Sequence, residues 1–242
     1  MKVAKHPRGF VLMAACVTVC LSSAQVPGTG RVQIKSVQSY SGTAPLTKPT
    51  SIVVYNFAAT PEEVKLNSAV LHRVRMKASG AEGDEKTKLA HKIVDDFSES
   101  LVKHLEKTGL PVSRGVTGEL APDNSLAVQG DFLAIDEGNR TRRMAIGLGA
   151  GASKVVAHVE CYLKQPDKNV MLSEFRATSK SSRKPGAAET MGAGAAPEAA
   201  AAVGGVTELK QGAEGDTDRM AKAVAKEITK TLAAQGWIKE SE

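Results

Sequence analysis

The sequence predicts an α/β fold of the α+β kind: a single mixed, largely antiparallel sheet with two amphipathic helices packed on one face. Three patterns predict it. Leu89, Ile93, Phe97, Leu101 and Leu105 fall at every fourth residue, which places them on one stripe of a helix. Met220, Val224, Ile228 and Leu232 repeat that spacing near the end of the chain. Between them, Val155, Ala157, Val159, Cys161 and Leu163 alternate with Lys154, His158, Glu160 and Lys164, the two-residue period of a strand with one apolar side.

The chain opens with Lys2, Lys5 and Arg8, then the apolar run Phe10 to Leu21, then Ser22-Ser23-Ala24. This is the pattern of a signal peptide over 1–24, cut before Gln25. A spanning anchor needs roughly 20 apolar residues, more than this run supplies. A lipoprotein is the alternative, because Cys16 follows Ala14 and Ala15, although only Phe10, Val11 and Leu12 are left as its apolar run. Residues 25–50, rich in Ser, Thr, Gly, Pro and Gln, read as a flexible lead-in with a short edge strand at Val32-Gln33-Ile34.

A single domain is expected over 51–238. Ser51 to Phe57 is the first strong strand, apolar on both faces and so expected in a covered, central position. Residues 62–83 show no clean periodicity and read as a surface excursion. The first helix spans 84–108, with Asp84 and Glu85 at its start, Lys103, His104 and Lys107 at its end and Gly109 as the stop. Leu110 to Val112 turns back into the sheet. Strands follow at 126–136, 153–164 and 170–178, the last two joined by the Pro166–Asn169 reversal. A low-complexity Ala/Gly loop occupies about 180–215, where few bulky side chains offset chain entropy. The second helix runs over 216–235, with Gly236 ending it and Trp237 plugging the core edge.

Charge argues against one class of function. Removal of 1–24 takes away three basic residues and no acidic one, which lowers the formal charge from +6 to +3. So weak a surplus, without aromatic side chains among the arginines to stack on bases, gives no case for nucleic acid. The same cut removes two of the three cysteines, and Cys161 alone makes no internal disulfide.

The search for reactive groups yields no catalytic, metal or cofactor residues. His72, His91, His104 and His158 have no ligand spacing with a cysteine or carboxylate cluster. There is no Gly-x-Ser-x-Gly elbow, and Cys161 sits on the apolar side of its strand. Gly147-Leu-Gly149-Ala-Gly151-Ala152 spells a permissive dinucleotide motif, but a strand follows it where a helix is required. A small-ligand or nucleotide site on the loop 147–153 is therefore the alternative to a protein without a cofactor. Arg140, Arg142 and Arg143 form a basic cluster that suits an anion or pairs with Asp136 and Glu137.

The segment Gly130-Asp131-Phe-Leu-Ala-Ile-Asp136-Glu137-Gly138-Asn139-Arg140, followed by Arg143 and by Ile146-Gly147-Leu-Gly149-Ala-Gly151-Ala-Ser153, resembles the signature of the bacterial family called domain of unknown function 4410. The resemblance covers about 50 to 237. It implies an exported envelope protein, sometimes a lipoprotein, with no established activity and no catalytic residues to carry over. The motif residues are the candidate interaction positions. From the signal and the failed searches, the expected function is a non-catalytic periplasmic or envelope protein that binds a protein or envelope partner. It is expected to touch a membrane, if at all, without spanning it.

Overall fold

The computed structural model describes residues 31–42, 45–66, 80–116, 118–139, 151–181 and 213–239. Seven strands form one mixed sheet: β1 (Arg31–Ser39), β2 (Ser51–Tyr55), β3 (Val64–Lys65), β4 (Val112–Gly115), β5 (Ser125–Asp136), β6 (Lys154–Lys164) and β7 (Asn169–Lys180). The two long helices are α1 (Glu82–Leu105) and α2 (Ala213–Ala234). The strand order is β1-β7-β6-β5-β2-β4, with β3 paired to the far end of β5.

The sheet has two halves. β1, β7, β6 and β5 form an antiparallel meander with long registers. β2 runs parallel to both β5 and β4, and β3 parallel to β5. The parallel half follows from its connections. α1 links β2 to β4 across one face, and the chain must then pass back over β2 to reach β5. Keeping both crossovers right-handed puts the return on the opposite face. Residues 118–124 lie on that route, and the Tyr55 hydroxyl donates to the Glu119 carbonyl at 3.0 Å on the side away from the helices.

Both helices lie on the same face. α1 packs over β2, β3 and β4, α2 packs over β7, β1 and β6, and the helices touch each other. The stripe Ile93, Phe97, Leu101 and Leu105 is fully buried, as are Met220, Val224 and Leu232 on α2. At the centre, Phe97 meets Phe57 and Phe132 edge-to-face, with ring centroids 4.8 Å and 5.4 Å away. Such aromatic contacts add about 0.5–1.5 kcal/mol each beyond the area they bury. Trp237 closes the core edge as expected, its backbone N–H donating to Leu232 O at 3.1 Å.

The lead-in reading of 25–50 changes where the structure describes it. Residues 31–39 are a nine-residue edge strand in register with β7 from Arg31↔Lys180 to Ser39↔Ser173. Val32 and Ile34 are its only apolar residues on the helix side, so the stretch carries a strand's hydrogen bonds with almost none of its apolar pattern. The signal segment 1–24 lies outside the described residues, as do 67–79 of the surface excursion and 182–212 of the Ala/Gly loop.

Candidate functional site

The motif places its residues in two environments. Gly130 and Asp131 are neighbours on β5 and point to opposite faces. On the helix side, a Cβ at Gly130 would lie 2.0 Å from His158 O and 2.6 Å from the Phe57 ring, so no larger residue fits between β6 and the aromatic centre. Asp131 faces away from the helices, with its Oδ1 3.2 Å from His158 Nδ1.

The other described motif residues build the turn after β5. Asp136 accepts from Lys65 Nζ at 3.1 Å and from the Gly138 backbone N–H at 2.8 Å, fixing the turn from its side chain. Glu137 donates its backbone N–H to Lys65 O at 3.0 Å, and Asn139 donates its own to Gly151 O at 2.9 Å. Gly138 has φ +72°, and a Cβ there would sit 2.3 Å from Gly151 O; the left-handed backbone and the close approach both demand glycine. Arg140, Arg143, Gly147 and Gly149 lie outside the described residues, and with them the core of the glycine loop.

Ser153 ends the motif inside the protein. Its hydroxyl donates to Asp216 Oδ2 at 2.6 Å, Ser179 donates to Asp216 Oδ1 at 3.2 Å, and Arg219 pairs with the same carboxylate. Asp216, Ser153 and Ser179 are all fully buried. A buried carboxylate is tolerated only with such partners, so this hub ties the start of β6 and the end of β7 to the first turns of α2. The sequence reading had α2 begin at Asp216; it begins at Ala213, which brings Asp216 inside the helix and over the sheet.

On the face away from the helices, polar groups from three strands converge. His158 bridges two carboxylates, with Nδ1 3.2 Å from Asp131 Oδ1 and Nε2 2.9 Å from Glu174 Oε1. Burial works against the charged ring, but the hydrogen bonds to Glu174 and Asp131 and the fields of Asp131 and Glu160 outweigh it and raise the His158 pKa above its ordinary value. Next to it, Gln129 Nε2 donates to Glu160 Oε2 at 3.0 Å. Burial first, and then the negative charge of Glu160, pushes up the Tyr162 hydroxyl beside them. A shallow depression of about 730 Å³ opens here between Gln129, Asp131, Glu160, Tyr162, Tyr55 and the return segment at Glu119.

Of the candidate motif positions, the structure brings Asp131 to this face and draws Gly130, Gly138 and Ser153 into packing. It adds His158, Gln129, Glu160, Glu174, Tyr55 and Tyr162. The alternation in β6 had already put His158 and Glu160 on the polar side; only the cross-strand register shows what they meet. Cys161 is buried on the helix side and its thiol is pushed up to about 12 by desolvation, which leaves it inert as a nucleophile. Among the described residues no cluster has a metal-binding arrangement, and no helix is long and apolar enough to cross a membrane.

A family model described as Domain of unknown function (DUF4410) matches residues 52–197. No curated protein gives a significant sequence match. Among solved structures, the PelC dodecamer from Paraburkholderia phytofirmans is 11% identical, with 85% of this chain and 96% of that chain covered and a TM-score of 0.35. The hypothetical protein CT253 from Chlamydia trachomatis is 10% identical, with 76% and 99% covered and a TM-score of 0.39.

Proposed function

This chain belongs to the DUF4410 family, and from that premise we propose that it is an exported, non-catalytic protein of the bacterial envelope that binds a partner across the uncovered face of its sheet. One observation carries the reading: both helices pack on the same side, so β1, β7, β6 and β5 present a broad polar surface that no described element covers. A sheet needs only one buried face for stability, and the other is free to meet another molecule. The groups on it favour binding over chemistry. His158 is held at both ring nitrogens, which leaves neither free to accept a proton from a substrate.

Two measurements test the two parts. A photo-reactive amino acid at position 162 should give a covalent adduct in cells, whereas the same group at position 99 on the outside of α1 should not. Equal labelling at both positions would remove the case for the uncovered face. For export, intact-mass analysis of the cellular protein should find a chain starting at Gln25 or at an acylated Cys16. An unprocessed chain starting at Met1 would rule out a cleaved signal.

A further inference from the structure

The uncovered face is ordered by charge along the strand direction. Where all four strands pair, cross-strand register sets out four rows: Arg31, Lys180, Lys154 and Asp136; then Gln33, Thr178, Val156 and Ala134; then Lys35, Arg176, His158 and Asp131; then Gln38, Glu174, Glu160 and Gln129. The first row is mainly basic and the fourth is acidic. Adjacent rows are two residues apart on β6 and β7, about 6.8 Å at antiparallel strand spacing, while β1 and β5 each take in one extra residue at a bulge.

A two-fold axis lying across the strands, level with Ala157 and Ala177, exchanges the first row with the fourth and the second with the third. Lys154 then faces Glu160 of the other copy, and Lys180 faces Glu174, each pair occurring twice. The remaining positions set Arg31 against Gln38, Asp136 against Gln129, Lys35 against Gln33, Arg176 against Thr178, His158 against Val156, and Asp131 against Ala134. No like charges meet directly. On this charge complementarity we infer that the uncovered face binds a second copy of this chain, sheet face to sheet face, as an isologous dimer. The inference rests on the reading of that face as a binding surface and names its occupant.

The size of the surface agrees with a reversible contact. Four strands at about 4.8 Å and four rows at about 6.8 Å give a flat footprint of roughly 500 Å² per copy, or about 1,000 Å² for the pair. That is the area at which specific interfaces begin, so the dimer is held largely by charge and is sensitive to salt.

Sedimentation velocity on the purified chain tests it. The wild type should form a concentration-dependent dimer at low ionic strength that dissociates in high salt. Glu160→Lys should weaken it by about tenfold or more, because each substitution acts twice across the axis. The decisive pair is Glu160→Lys/Glu174→Lys and Lys154→Glu/Lys180→Glu. Each variant alone should be monomeric, since its first and fourth rows then carry the same sign, and an equimolar mixture should form a heterodimer. Circular dichroism confirms that both variants are folded before mixing. A wild type that stays monomeric at low salt, or folded variants that do not associate on mixing, would overturn the inference. A monomeric wild type that still gives a heterologous photo-adduct at position 162 would leave the partner-binding reading standing while removing the second copy as the partner.

Discussion

The odd-numbered residues of β6 from Val155 to Leu163 are at most 1% exposed beneath the helices, while its even-numbered residues include the partly or fully exposed Lys154, His158, Glu160, Tyr162 and Lys164. The same strand therefore serves two purposes separated by a single residue step. The helix-covered face holds the fold together through apolar burial. The opposite face carries charge in register and contributes little to folding, because exposed ion pairs are worth at most about 1 kcal/mol each. Substitutions should divide along this boundary, and each prediction below tests whether they do.

The largest difference is expected between aromatic residues on the two faces. Phe97→Ala removes a fully buried ring from the Phe57–Phe97–Phe132 group and should cost about 3–5 kcal/mol in urea denaturation. Tyr162→Ala, on the uncovered face, should cost roughly 1 kcal/mol. Similar losses from the two would mean that something covers the second face in the folded chain.

Next is the charged residue that is buried on the covered side, Asp216. Asp216→Ala leaves the Ser153 and Ser179 hydroxyls and the Arg219 guanidinium without their shared acceptor, at a cost of about 3 kcal/mol. Ser153→Ala should cost less, and the double variant should lose clearly less than the sum of the two, because both changes break one network. Strict additivity in the denaturation data would dissolve the hub into independent contacts.

How much of this could be read from the sequence differs by face in the same way. The covered face was legible: the stripes of α1 and α2 and the alternation of β6 appear where the periodicity put them, since burial writes itself into local spacing. β1 was only partly legible, as Val32 and Ile34 are its sole apolar residues turned towards the core. Parallel pairing of β2 with β4 and β5 leaves no local mark, because side chains alternate in the same way in either direction. The uncovered face was the least legible. Asp131, His158 and Glu174 meet across intervals of 27 and 16 residues, which only the register of three strands brings together. Asp216 was hidden for a related reason: a carboxylate near a helix start reads as a dipole partner, and only the packing of α2 on β6 and β7 shows it buried.

A chemical probe sharpens the same boundary without changing stability. With its pKa pushed up to about 12, Cys161 holds roughly one part in ten thousand as thiolate at pH 8, and it is sealed under the helices. Iodoacetamide should therefore label it only in urea concentrations that open the core. A cysteine placed at Gln129, exposed in the lining of the depression, should label rapidly in the native protein. Fast native labelling of Cys161 would show that the helix layer opens far more readily than its packing implies.

The smallest effect belongs to His158, and its sign is fixed by the direction of the shift. Its pKa is raised in the folded chain by Glu174 and Asp131, so the protonated ring is bound more tightly there than in the unfolded chain. The stability this contributes is fully present below the unfolded histidine value, near about 6.5, and is lost as pH rises through the higher folded value. The groups facing the ring are Asp131, Glu174 and Glu160, with Arg176 opposite it in the register as the one cation. His158→Gln should therefore cost more at pH 5.5 than at pH 8.5, with a difference below about 1 kcal/mol because the cluster is partly solvated. Denaturation curves of both chains at the two pH values measure that difference directly. If it vanishes, the bridge is not formed in solution; if it reverses, the ring is held neutral, and burial on the uncovered face outweighs the two carboxylates beside it.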